Sequence, residues 1–351
     1  VTGLFETDLK THAVLPALRA LAVNEPRPDL LSGGNLYLSY QSGSFVCGRI
    51  ARIPLSGGSV VQSPWRAFSD APVVAYGALW VIVNVRPNIS DAADLYELSP
   101  KSLAIEREIT LPGRYDDATP VPADGAIWIG DSRGTVLGRV DARTGKLSFV
   151  PLPGLGKYDS AQDVVAAPDA GTLYVLAVKQ TSPIFSEAIE RFDPATGRFK
   201  LNPGTARFPV ARLIGVTGDL LWVALMGGMS YSVAPESTTT LGPTRCALEG
   251  GCSFGGLNTI FEVTTDGDLA WMSHAGGWLE CARGPTGSVS ATLRIPAFGP
   301  MTAGYSPKDS GLSLIASGEG YLALVPQFPG PGGGDLAPEV ALFRLDPRCG
   351  T

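Results

Sequence analysis

Five near copies of one short pattern limit what this chain can become. A glycine, a short spacer and an apolar run holding Trp or Tyr recur as "GALWVIV" from Gly77, "DGAIWIGD" at 124–131 and "GTLYVLA" from Gly171. They recur again as "GDLLWVA" from Gly218 and "GDLAWMS" from Gly267. With Tyr37 and Tyr321 the aromatics are Tyr37, Trp80, Trp128, Tyr174, Trp222, Trp271 and Tyr321, spaced by 43, 48, 46, 48, 49 and 50 residues. A near-constant period of that size fits a four-stranded propeller blade, whereas leucine-rich and ankyrin repeats are shorter. The segments alternate or run apolar over five or six residues, which is a strand pattern and not a helical one.

A second pattern follows some aromatics. "GRVDARTGKLSFVPL" comes after Trp128, "ERFDPATGRFKLN" after Tyr174 and "FRLDPRCGT" after Tyr321. Weaker forms are "ELSPKSLAIERE" and "CARGPTGSVSATL". Each reads as strand, tight turn, strand: Asp bonds the backbone ahead of it, Pro presets φ, and Gly takes the positive φ at the exit. A blade is thus an inner strand, a Gly turn, the aromatic strand, a loop, a third strand, the Asp turn and an outer strand. A large ring in the second strand fills the space between neighbouring blades, and burying one stabilises by roughly 1.5–3 kcal/mol.

The expected architecture is all-β, a single seven-bladed β-propeller over residues 1–351, with blades near 24–68, 69–113, 114–154, 155–206, 207–254, 255–298 and 299–351. Only thirty residues follow Tyr321, too few for an outer strand, while thirty-six precede Tyr37. Residues 1–23 therefore supply the missing outer strand of the last blade and remove an exposed sheet edge. A short amphipathic helix is the other reading of "THAVLPALRALAV", made less comfortable by Pro16.

The glycine-aromatic strand with Arg-x-Asp-Pro-x-Thr-Gly resembles the extracytoplasmic repeat propellers of the YVTN and virginiamycin B lyase-like type, from Gly34 to Gly350. The resemblance implies a seven-bladed propeller. Lyases of that type use Glu-x-His with a metal, and here Met272 stands where that Glu would be, two residues before His274.

Composition narrows the function classes. Gly 43 and Pro 29 make a fifth of the chain, which means many turns. Charged residues are 17% and the net charge is −6, which argues against a nucleic-acid partner with its clustered basic face. No apolar run is long enough to span a bilayer as a helix. The five cysteines, Cys47, Cys246, Cys252, Cys281 and Cys349, contain no CxxC pair, which disfavours zinc. "CALEGGC" is spaced for a local disulfide between Cys246 and Cys252, which would place the protein in an oxidising compartment: secreted, periplasmic or at the cell surface. Five free thiols in a cytosolic protein is the alternative. The pairing of Cys47, Cys281 and Cys349 stays open.

In propellers, loops joining one blade's outer strand to the next inner strand share a face with those between second and third strands. The stretches in question pair aromatics with charges: Trp65 and Arg66; Tyr115 with Asp116 and Asp117; Tyr158 and Asp159; Arg207 and Phe208; and Tyr305. Exposed rings with polar neighbours suit a carbohydrate or protein ligand, or else these residues close turns and cap blade junctions. The enzymatic alternative is a lyase or hydrolase in which His274, with Glu280 nearby, acts as a general base. A hydrogen-bonded loop histidine is the plainer account of His274. No cofactor is expected beyond a divalent cation in that enzymatic case. A third reading is a structural subunit of a larger surface assembly, docking through the insertions at 83–94 and 325–339.

Overall fold

In the computed structural model the described residues are 24–41, 48–64, 68–69, 71–84, 93–112, 118–131, 134, 136–152, 160–167, 171–181, 184–202, 210–217, 220–227, 230–237, 260–274, 278–283, 288–294, 312–327 and 341–344. Regular structure among them is all strand and turn. The strands form seven antiparallel sheets in chain order, within 24–62, 68–111, 121–151, 160–202, 210–237, 260–294 and 312–344. Within each sheet, strands neighbouring in sequence are neighbours in space. The second sheet carries a broken inner edge, with Phe68–Ser69 and Val73–Ala75 both pairing with Ala78–Asn84.

Five sheets have four strands or more, and the fifth and seventh have three. Full blades thus number five among the described residues, short of the seven that the aromatic spacing predicts. The fifth sheet stops at Ser237 and the seventh at Arg344. The chain after each, and the expected closing segment 1–23, lie outside the described residues.

The sheets pack in sequence order, each on the next. The inner strand Asn24–Ser32 of the first sheet lies against Leu312–Gly318 and Tyr321–Gln327 of the last. Inner strands are also stitched to one another by polar groups. Leu213 N–H donates to Asp163 Oδ2 at 3.1 Å, and the Thr264 and Ser317 hydroxyls meet at 3.1 Å.

The repeated glycine has a specific cause. Gly33-Gly34, Tyr76-Gly77, Asp124-Gly125 and Glu319-Gly320 are the two central residues of tight turns, and all eight have positive φ. These are type I′ hairpin turns, whose twist suits the flanking strands and which need the left-handed region at both positions. Glycine takes the second position every time.

The rings follow the turns. Tyr37, Trp80, Trp128, Tyr174, Trp222 and Trp271 are all buried, and the first five pack against side chains of the next sheet. Trp128 meets Phe192 of the fourth sheet edge-on, centroids 5.1 Å apart. Three indoles satisfy Nε1–H on the residue five positions earlier, across the hairpin: Trp80 on Ala75 O, Trp128 on Ala123 O and Trp222 on Thr217 Oγ1. The ring thereby locks inner strand to second strand as well as filling the gap between sheets.

Tyr321 departs from this scheme. It pairs with Gly318 at the very end of its hairpin and is only partly buried. Counting from the turn, the position equivalent to Trp128 is Ala323, which is fully buried against Leu31, Leu36 and Leu38. At that register position the last sheet has a methyl group, and Tyr321 packs against the edge of the same cluster.

Candidate functional site

Strand direction decides which ends converge. Inner strands begin, and outer strands end, at the side opposite the type I′ turns, because each sheet runs antiparallel throughout. The strand ends at Gln62, Leu111, Pro151 and Asn202 are therefore at that side. In sequence, the candidate ligand residues follow these ends and Arg294 of the sixth sheet. Trp65, Arg66, Tyr115, Asp116, Asp117, Tyr158, Asp159, Arg207, Phe208 and Tyr305 themselves lie outside the described residues, as do Cys246 and Cys252.

Of the residues considered for catalysis, His274 ends the strand Leu269–His274 at this same side, paired in register with Ile260 and Trp278. Glu280 sits two residues beyond Trp278, opposite Met272, and both are fully buried. By strand alternation Glu280 belongs to the same sheet face as position 274. Its burial places its carboxyl within the packing against the fifth sheet, where Met272 contacts the Trp222 cluster.

The charged groups that are described mostly hold the scaffold. Asp141 accepts from Thr144 N–H at 2.8 Å and Thr144 Oγ1 at 2.7 Å, while Gly145 N–H donates to Asp141 O. Asp193 repeats this with Ala195 N–H, Thr196 N–H and Thr196 Oγ1. Both carboxyls are held below the usual aspartate range, first by the threonine hydroxyl and then by the amides. This is the physical content of the Asp-x-x-Thr-Gly motif. Glu97 pairs with Arg107 Nε at 3.1 Å, and Arg107 reaches the neighbouring turn at Arg143 O. Burial raises the Glu97 carboxyl, opposed by Arg107.

Glu190 is different. It lies fully buried in the third strand of the fourth sheet, opposite Val175. Neither carboxylate oxygen has a hydrogen-bond partner, and burial lifts its pKa to about 7. It occupies the position in its sheet that Glu280 has in the sixth, each one pair along from the aromatic. In the sequence Glu190 is one acidic residue among several in "SEAIERFD", and only strand alternation would have marked it as inward. Among the described residues no group of three or more His, Cys, Asp or Glu side chains could hold a metal ion. No helix among them is long and apolar enough to cross a membrane.

With this geometry in view, comparisons with known proteins bear on the fold. No family model matches, and no curated protein matches. Solved structures do. One from a mechanistic study of two prolyl endopeptidases has a TM-score of 0.54 at 13% identity, over 95% of this chain and 52% of that one. The Kuenenia stuttgartiensis hydrazine synthase has a TM-score of 0.55 at 12% identity, covering 92% and 96%. BamB from Moraxella catarrhalis has a TM-score of 0.50 at 13% identity, covering 90% and 80%. The chain has a β-propeller fold. The chain spans about half of the prolyl endopeptidase, and identities this low speak to architecture alone.

Proposed function

We propose that this protein is a non-enzymatic, extracytoplasmic propeller scaffold that recognises a protein partner on its inter-blade loop face, within a surface assembly. The carrying observation is the division of labour between its two sides. On the turn side, Asp141, Asp193, Glu319 and Tyr76 are engaged in holding turns and sheets. The aromatic and charged pairs without a scaffold role in the sequence pattern follow, in sequence, the strand ends of the other side. The propeller architecture shared with BamB is one on which a scaffold can be built.

We read the ring as seven-bladed, with residues 1–23 completing the last blade. Supporting this are seven sheets in chain order and contact of the first with the last among the described residues. Deleting residues 1–20 is expected to lower the melting temperature sharply; unchanged melting would remove the closure. We expect no cofactor requirement.

The test of function is capture from an envelope extract of the source, comparing wild type with Trp65→Ala and Tyr115→Ala, alongside peptide and glycan arrays. Loss of a specific protein in both variants supports the reading. Glycan binding that both variants abolish would replace the protein partner with a carbohydrate. Partner capture indifferent to both changes would move the site off this face. Metal analysis with a lyase panel on wild type and His274→Ala decides the enzymatic alternative.

A further inference from the structure

We propose that Glu319 is a latch that closes the ring, its carboxylate seated on the backbone of the first sheet's hairpin turn. Glu319 is the first central residue of the type I′ turn in the last sheet, with φ 53°. That conformation favours Gly, Asn or Asp, and a longer side chain sits there at a cost in backbone energy. The side chain gives the reason for its presence. Its Oε1 accepts from Gly33 N–H, and its Oε2 accepts from Gly34 N–H at 2.8 Å. Two successive amides in the left-handed conformation form a concavity that suits an anion. The carboxylate therefore bridges sheets whose residues are separated by 285 positions in sequence.

The same seam is tight at the backbone. A Cβ on Gly318 would stand 2.6 Å from Leu31 O, so the last inner strand approaches the first as closely as glycine allows. The register position that carries a ring in other sheets is Ala323 here, buried among Leu31, Leu36 and Leu38, with Tyr321 packed against the same cluster.

A parallel instance shows that the device is built in. Tyr76, also first in a type I′ turn, with φ 54°, accepts from Gly125 N–H of the next sheet's turn at 3.0 Å. In both cases a side chain that the turn disfavours reaches forward to the following hairpin.

The experiment is hydrogen exchange by mass spectrometry on the full chain, wild type against Glu319→Gly, Glu319→Asp and Glu319→Gln, at neutral pH. Glycine removes the backbone cost and the carboxylate together, so the two roles predict opposite signs. A latch predicts at least tenfold faster exchange for peptides covering 24–41 and 312–327 in Glu319→Gly. Smaller increases follow for Asp and Gln, with peptides covering 121–151 unchanged. Equal or slower exchange at the seam in Glu319→Gly would overturn the proposal. So would loosening that is uniform across all sheets in the Asp and Gln variants, which decide the matter should the glycine variant fail to fold.

Discussion

Glu190→Gln should stabilise this protein, and by an amount that grows with pH. The wild-type carboxyl is fully buried, has no hydrogen-bond partner, and titrates near 7 in place of 4.5. The folded pKa lies above the unfolded one, so between these values the native state holds a proton that the unfolded chain has released. Stability from this group therefore falls as pH rises from about 4.5, and the fall is complete above the folded value. A rise from 4.5 to about 7 corresponds to roughly 3 kcal/mol at about 1.4 kcal/mol per pH unit. Glutamine keeps the shape and cannot ionise. Urea unfolding at pH 4.5 should find the two proteins within about 0.5 kcal/mol, and at pH 8.5 the variant should be ahead by about 2–3 kcal/mol. In a chain of this size that is a melting shift of about 3–4 °C. A difference independent of pH, or a less stable variant at pH 8.5, would refute the reasoning.

Trp128→Ala removes a buried ring, its bond to Ala123 O and its edge contact with Phe192, and should cost about 3–5 kcal/mol in urea unfolding. Gly145→Ala should cost about 1–2 kcal/mol, because φ is +72° there and the added carbon would fall 2.5 Å from the Arg107 side chain. Asp193→Ala should be destabilising at pH 6. Because the folded Asp193 pKa is depressed, its contribution is present above the ordinary value of 3.8 and is lost as pH falls below it. The gap between the two acid-titration curves should close on the acid side, and a gap of constant size would count against the Asp193–Thr196 contact.

Much of the scaffold was legible because its grammar is local. The positive φ of Gly77 and Gly125, and the Asp193-to-Thr196 bonds, are fixed by residues within a few positions of each other. Burial of Trp80 or Trp222 follows from the same short segments. Tyr321 shows that an aromatic near a glycine does not fix register: it stands two residues early, and Ala323 holds the equivalent place. Glu190 and Glu319 were illegible for the opposite reason. What matters about each is set by a neighbouring sheet, at sequence distances that no local pattern reports. The loop positions follow from the repeat, but aromatic and charged residues there serve turns and ligands equally well.

The two-residue hairpins also dictate where such a chain can change in length. Adding one residue to Asp124-Gly125 would turn every side chain of the next strand over, putting Ile127 where Trp128 now packs. Lineages of this protein should therefore hold those hairpins at constant size while insertions and deletions accumulate at the opposite rim. Diversification and ligand choice would then share one side of the disc, and the other would stay frozen as its hub.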